Sequence, residues 1–338
     1  MRQVNLNQTP VLEVNDVRRY YPQKKKHVSS DGTVIKKAVV KAVDGVSFSL
    51  QKGEVLGVIG ESGCGKSSLG RLLVRLEKCT SGSIRLDGRD MEELYRSDRL
   101  AFRRSTQMVF QNPFDTFDPH YSIGKTLIDA MKLHHIGDSD EARRELAVRE
   151  LSLAGLLPAE SFLDRFPHEL SGGQLQRISI LRSMLLHPAV IVADEPVSML
   201  DVSIRADIIN LLYETSQREN TAMVFISHDI TTTRYISSCI AVMYLGRIVE
   251  MGPADEVVAH PQHPYTRALI SNCGSIDPRD EHEIIHLPGE PPTPVAIPSG
   301  CPFHPRCPQA TEECCRREQT LVDAGCGHFI RCSQVTGL

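Results

Sequence analysis

No stretch of this chain approaches the roughly eighteen consecutive apolar residues that a membrane span requires. The opening residues, MRQVNLNQTPVLEV, lack the basic-then-apolar pattern of a signal peptide. Both absences place the protein in the cytoplasm, docked on a membrane partner if it works at a membrane at all. A basic excess is missing too: the net charge is -4, which gives no global field for nucleic acid. Neither an internal repeat nor a heptad run is present, so solenoids and coiled coils are excluded. What remains is an ordinary globular composition, 41% hydrophobic and 24% charged. The 338 residues hold one large domain, or a domain of about 230 to 260 residues with a small appendage.

Cysteine is distributed unevenly. Cys64, Cys79 and Cys239 are scattered, whereas Cys273, Cys301, Cys307, Cys314, Cys315, Cys326 and Cys332 crowd the C-terminal end. In a reducing cytosol such crowding reads as a metal or iron–sulfur site before it reads as disulfides. The short C-x2-4-C pair of structural zinc sites is missing. Irregularly spaced thiolates suit a [4Fe–4S] cluster, with zinc or plain reduced thiols as the alternatives.

Residues 11–21 start as an alternating strand, and 22–40 form a basic excursion, a solvated hairpin or loop. A phosphate-binding patch is the minor alternative there, since no aromatic interleaves the lysines. Residues 41–60 give two strands around the turn Gln51-Lys52-Gly53; VLGVIG has the apolar, β-rich character of a buried parallel strand. Helical patterns with several charges fill 125–157. AVIVADEP (189–196) is a second buried strand, followed by a helix over 204–219 and a third strand over 222–227. Strands alternating with helices predict a parallel α/β sheet. Five prolines and two glycines in 286–300 mark a boundary, with a small Cys-rich module beyond it.

The run Gly60-Glu61-Ser62-Gly63-Cys64-Gly65-Lys66-Ser67 fits G-x-x-x-x-G-K-[ST], between a buried strand and a helical run beginning at Ser68. Its glycines let backbone N–H groups turn toward phosphates, and the helix adds its positive end. Lys66 reaches the β- and γ-phosphates, and the Ser67 hydroxyl ligates Mg²⁺. Asp194, at a strand's C-terminal edge, suits a water-mediated Mg²⁺ contact. Glu195, pointing elsewhere, polarises the attacking water as general base. In Leu170-Ser171-Gly172-Gly173-Gln174, Ser171 is a natural N-cap, and the glycines expose N–H donors to an anion.

LSGGQLQR (170–177) resembles the ABC ATPase signature, and the resemblance extends over the whole chain. It implies an α/β P-loop NTPase with a RecA-like core, an antiparallel β subdomain and a helical signature subdomain. A small Cys-rich C-terminal module completes it. The ATPase domain spans 1–285, with a helical insertion at about 112–170; the Pro-rich linker is 286–300 and the module 301–338. Gln111 in VFQNP is similar to the Q-loop glutamine that senses Mg²⁺ and couples to the membrane subunit. Ser198-Met199-Leu200-Asp201 is similar to the D-loop, with Met199 where the family more often has Ala. His228 resembles the switch histidine at the γ-phosphate, and Tyr21 the aromatic that stacks on adenine, with Tyr20 as the fallback. The nucleotide-binding set is thus Tyr21, Gly60 to Ser68, Ser171 to Gln174 and Asp201.

The resemblance also implies a head-to-tail dimer, in which Ser171, Gly173 and Gln174 of one subunit close the phosphate loop of the other. HPQHPYTRAL (260–269), the proline-rich stretch and the cysteines resemble the C-terminal extension of oligopeptide and dipeptide importer ATPases. Within that group the likeness is to an F-type subunit, which pairs with a different D-type chain. Implied partners are that second ATPase subunit, two permease subunits and a solute-binding protein, with no nucleic acid. The chain would lie peripherally on the cytoplasmic face of the membrane. The cluster ligands are Cys301, Cys307, Cys314 and Cys332, with Cys326 as the rival fourth. Relatives with this layout also handle nickel and glutathione. A nucleic-acid or ribosome ATPase, an exporter head and an inactive binding module are the rival classes.

Overall fold

The computed structural model describes residues 9–23, 27–28, 34–35, 38–272 and 284–335. Lys24 to Lys26, Lys36, Lys37 and Cys273 lie outside the described residues, and with them the minor phosphate-patch reading of the basic excursion. The chain divides into two compact units. One, the phosphate-loop unit, takes in 13–49, 55–84 and 225 onward; the other, the helical unit, takes in 50–54, 85–224 and the N-terminal residues through Leu12.

Strand β1 (Leu12–Pro22) starts by alternating, with Leu12 and Val14 buried; Asp16 at φ 45 breaks the period, and Val17 is the next buried residue. Within the basic excursion, strands β2 (His27–Val28) and β3 (Val34–Ile35) pair antiparallel. Strand β4 (Val39–Leu50) lies beside β1, whose other neighbour is β6 (Ser81–Leu86). Between them in sequence, β5 (Val55–Ile59) is buried along its whole length, as a strand covered on both faces must be. Helix α1 follows at Lys66–Leu73 and buries Leu69, Gly70, Leu72 and Leu73. It begins two residues earlier than the sequence suggested. Gly65 is its N-cap at φ 111, so the glycine turn hands directly into the helix without a polar cap.

In the helical unit, β7 (Arg89–Asp90) pairs with the end of β6. Two short helices follow, α2 (Met91–Ser97) and α3 (Arg99–Ser105), capped by Asp90 and Asp98. Strand β8 (Thr106–Val109) runs parallel to β9 (Val190–Asp194), in the register Thr106↔Val190 to Val109↔Ala193. The helical pattern over 125–157 resolves into α4 (Ile123–Leu133) and α5 (Asp140–Leu153). Ser122 and Ser139 cap them, and Gly137 at φ 72 turns the chain between them. Helices α6 (Ala159–Leu163) and α7 (Gly172–Met184) complete a core of Ile123, Leu127, Leu151, Phe162, Leu175 and Ile178. Helix α8 (Val202–Arg218) lies two residues from its expected start, and β10 (Ala222–Ile226) leads back into the phosphate-loop unit.

There α9 (Ile230–Ile236) precedes β11 (Cys239–Tyr244), which pairs parallel with β5 and antiparallel with β12 (Arg247–Pro253). Helices α10 (Ala254–Ala259) and α11 (Pro264–Ser271) pack nearby. The C-terminal segment carries α12 (Glu312–Arg316), β13 (Val322–Asp323) and β14 (Phe329–Ile330). Phe303 shares a core with Ile59, Tyr244 and Tyr265, and β14 pairs with β12 through Glu250↔Ile330. The proline-rich stretch likewise lies on the phosphate-loop unit, with Pro294 O accepting from Lys41 N at 3.0 Å. Among the described residues, no helix is long and apolar enough to cross a membrane.

Candidate active site

In the phosphate-loop unit, the loop 60–65 is wrapped around an ammonium group. Lys66 is 6% exposed, and its Nζ donates to Gly60 O at 2.7 Å and Glu61 O at 3.1 Å. The glycines make this path possible. A Cβ on Gly65 would lie 2.0 Å from Ala42 O, and one on Gly60 would lie 2.3 Å from Met243 O. Gly63, at φ 78, has open space where its Cβ would be, so its constraint is conformational rather than steric. Cys64 points inward, and burial pushes its thiol up despite the neighbouring lysine. Its carbonyl accepts from Gly246 N at 2.8 Å, which ties the loop to the turn after β11.

The two tyrosines of β1 differ in their partners. Tyr20 Oη donates to Asp44, and burial together with that carboxylate pushes its phenol up to about 12. Tyr21 Oη reaches Glu77, and the Arg19 guanidinium lies 4.4 Å from its ring centroid. His228 is exposed just past β10. Ser227 N donates to Val58 O at 3.2 Å, and Asp229 caps α9 through Thr232 N, so the histidine is held between two anchored neighbours.

The remaining groups belong to the helical unit. Because Val109 pairs with Ala193 in a parallel ladder, Gln111 and Glu195 each stand two residues past the pairing. Gln111 Nε2 donates to Glu195 Oε2 at 3.2 Å and to Ser198 Oγ at 3.0 Å, and Ser198 Oγ in turn donates to Glu195 O. Asp194 closes the strand at 7% exposure, and Glu195 turns the chain at φ 46. That left-handed backbone is what aims the two acids differently. Ser171 caps α7 in a capping box: its Oγ accepts from Gln174 N at 3.3 Å, and Gln174 Oε1 accepts from Ser171 N at 3.0 Å. A Cβ on Gly173 would lie 3.1 Å from Ile204 Cγ2, while on Gly172 it would meet only Leu200 at 3.5 Å. Asp201 precedes α8 and is exposed, with its side chain making no cap bond.

Cys301, Cys307, Cys314 and Cys332 line one small cavity with His263, Phe303 and His304. Cys326 is exposed and does not line it. Burial, then the neighbouring thiols, push Cys301 up to about 11, and Cys307 and Cys332 move the same way. Burial acts upward on Cys314 as well, but hydrogen bonds from Thr311, Ser333 and Gln334 outweigh it and draw that thiol down. Among the described residues, no three His, Cys, Asp or Glu side chains converge as the ligands of one metal ion.

Three residues at these sites have no role that the sequence alone assigns. Ser198 is visible there only as part of a D-loop pattern. Tyr265 lies in plain sight in HPYTRAL, and its Oη accepts from Glu61 N at 2.8 Å. Arg306 pairs with the Glu61 carboxylate from 245 positions away, and no spacing rule connects the two.

Residues 43–198 match the family model described as ABC transporter, and 249–314 the one described as oligopeptide/dipeptide transporter, C-terminal region. The dipeptide transport ATP-binding protein DppF of Haemophilus influenzae is 42% identical over 97% of either chain. The oligopeptide transport ATP-binding protein AppF of Bacillus subtilis is 44% identical over 96% of this chain and 98% of its own. Among solved structures, a dimeric ATP-binding cassette in a post-hydrolysis state with ADP and Pi superposes with a TM-score of 0.61 at 25% identity. It covers 72% of this chain and 98% of its own. The cbiO1 protein of Clostridium perfringens, part of an ABC transporter complex, gives a TM-score of 0.60 at 25% identity, over 75% of this chain and 92% of its own.

Proposed function

The chain belongs to the ATP-binding subunits of dipeptide and oligopeptide ABC transporters, and on that footing we propose a residue-level account of how it hydrolyses ATP to power peptide import. The observation that carries it is the buried Lys66 ammonium inside a glycine loop at the start of α1. Such a loop offers backbone N–H donors and one fixed cation to a polyphosphate. When ATP enters, Lys66 exchanges its two carbonyl partners for β- and γ-phosphate oxygens. Ser67 and Asp194 would hold Mg²⁺, a hard, oxygen-preferring ion that their hydroxyl and carboxylate suit and that would neutralise phosphate charge. Glu195 takes the proton of the attacking water, while Gln111 holds its carboxylate and His228 meets the γ-phosphate. Tyr21 stacks on adenine.

The signature acts on the partner's nucleotide. Ser171 Oγ accepts from Gln174 N, so its own hydroxyl proton stays available to a phosphate oxygen across the dimer. Gly172 and Gly173 present N–H groups beside it, and Asp201 faces the same junction. The dimeric relative supports this arrangement. We read the chain as the F-type member of the pair, with a D-type chain opposite, two permease subunits and a solute-binding protein. Its place is the cytoplasmic face of the membrane. Residues 1–285 act as the ATPase portion, 286–300 as the connection and 301–338 as the cysteine-bearing segment.

We read the four cysteines, which line one cavity, as the ligands of a cluster. A [4Fe–4S] cluster held by Cys301, Cys307, Cys314 and Cys332 would cross-link the segment and take no part in hydrolysis. Exposure of Cys326 supports Cys332 as the fourth ligand. Purification of the intact membrane complex tests the transport reading. Two permease subunits and a peptide-binding protein are expected to co-purify; hydrolysis stimulated by DNA or ribosomes, with no permease present, would overturn it.

A further inference from the structure

Glu61 is held at three points, and two of the holders come from the C-terminal part of the chain. Its backbone N–H donates to Tyr265 Oη at 2.8 Å. Its carboxylate receives Arg306 through two parallel bonds, Nη1 to Oε2 at 2.8 Å and Nη2 to Oε1 at 3.1 Å. Its carbonyl accepts from Lys66 Nζ at 3.1 Å and from Cys64 N at 3.3 Å. The second residue of the phosphate loop is therefore pinned by side chains remote in sequence, and its third contact is the lysine that serves phosphate.

The holders are themselves rigid. Arg306 is 6% exposed and gives its Nε to Pro288 O at 3.2 Å. It stands in a single turn, His304 to Arg306, closed by Arg306 N on Phe303 O at 3.0 Å and His304 N on Cys301 O at 3.0 Å. Tyr265 is fully buried, with its ring centroid 4.7 Å from Tyr244 and 5.4 Å from Phe303. Phe303 belongs to the same turn as Arg306. A buried, forked arginine–carboxylate pair fixes direction as well as distance, which a lysine in its place does not. Arg306 and Tyr265 are both buried and reach the loop through Glu61, so they act on it from behind that residue.

We propose that Arg306 and Tyr265 are positioning residues of the phosphate loop, acting through Glu61 to hold Lys66 where a nucleotide's β- and γ-phosphates meet it. The inference rests on the nucleotide-site reading above. It gives the cysteine-bearing segment a second role, in which the turn between Cys301 and Cys307 is a buttress for the ATP site, beyond being closed off by its own thiols.

The test is the affinity of the full-length chain for MgATP, measured by equilibrium titration, with thermal melting as the control for folding. Tyr265→Phe keeps the ring and removes only the acceptor for Glu61 N; it is expected to weaken MgATP about threefold. Arg306→Lys keeps the charge and loses the fork, with a loss of about five- to tenfold. Turnover at saturating ATP should fall less than affinity does for both, since Lys66 is displaced while the groups around Glu195 keep their partners. The decisive comparison is a double-mutant cycle. Arg306→Ala is expected to weaken binding about tenfold in the native background and less than about twofold once Glu61→Ala is present. An undiminished Arg306 effect in the Glu61→Ala background, or native affinity in both Tyr265→Phe and Arg306→Lys, overturns the proposal. If Arg306→Ala does not fold, those two conservative variants decide the matter. Failure of the native chain to bind MgATP, or retention of binding by Lys66→Ala, overturns the nucleotide-site reading itself and this inference with it.

Discussion

Gln111 donates its side-chain amide to Glu195 Oε2 at 3.2 Å, and both residues stand two positions beyond the paired Val109 and Ala193. One oxygen of the proposed base is therefore spoken for, which orients the carboxylate. Replacing Glu195 by Gln retains the shape and removes the proton acceptor. Nucleotide binding should persist while steady-state hydrolysis falls by about 10²- to 10⁴-fold. Gln111→Ala leaves the base intact but unsteered, and the expected loss in turnover is about ten- to a hundredfold. A phosphate-release assay at saturating MgATP measures both, and normal turnover in Glu195→Gln would refute the assignment.

Asp44 and Arg247 form the most enclosed ion pair of the phosphate-loop unit's β1–β4 region. Arg247 Nη2 and Nε reach Asp44 Oδ2 at 2.7 and 2.9 Å, and the Asp44 side chain is 5% exposed. Burial opposes its charge, yet hydrogen bonds from Tyr20 and Arg247 prevail and hold the carboxyl below its ordinary range. Arg247→Ala strands that carboxylate, at a cost of about 3 to 5 kcal/mol. Urea titration at neutral pH reads the loss. A group whose folded value is depressed stabilises above its unfolded value and ceases to do so as pH falls through the folded one. The gap between native and Arg247→Ala protein should thus begin to narrow once acid protonates the stranded Asp44 of the variant, and finish closing only below the depressed native value.

Burial holds His263 in its neutral form. Burial drives it down to about 4, the nearby Glu250 acts upward, and Arg331 and Arg267 add to the fall. Folded, it stays neutral; unfolded, it takes up a proton below about 6.5. Between those values the unfolded state binds the extra proton, so stability is full above about pH 6.5 and declines toward pH 4, by about 3 kcal/mol in all. His263 caps α11 by accepting from Tyr265 N at 3.1 Å, a bond that asparagine can also make. His263→Asn should flatten the melting temperature across that window. An unchanged pH profile would count against the buried neutral form.

For the cysteines, iron and acid-labile sulfide are measured on anaerobically purified protein, with an absorbance spectrum. Four irons per chain and a brown protein are expected from a [4Fe–4S] cluster. Cys326→Ser should leave the iron content unchanged, because that residue is exposed and outside the shared cavity. Cys332→Ser should lower it. A folded, colourless, iron-free native protein sinks the cluster.

Legibility in the sequence followed locality. The phosphate loop, β9 and the Ser171 cap are each written within eight or so consecutive residues, where backbone geometry and residue type constrain one another. Strands β6 to β8 and helices α2 and α3, over 81–109, left little mark, because polar and apolar residues mix there without a clean period. The start of α1 was misplaced by two residues because Gly65 caps it by conformation alone. The meeting of Gln111 with Glu195 required a strand register, and that of Arg306 with Glu61 a complete fold. Pairings of this kind have no signature in a single chain read from end to end.

The 245 positions from Glu61 to Arg306 also set a clock. A ribosome adding about 5 to 20 residues per second needs roughly 10 to 50 s to cover that distance. Throughout the interval, a nascent chain carries its glycine loop and Lys66 without the arginine that anchors them. On the proposal that Arg306 steadies the loop, ribosome-bound intermediates stalled ahead of it should retain nucleotide poorly.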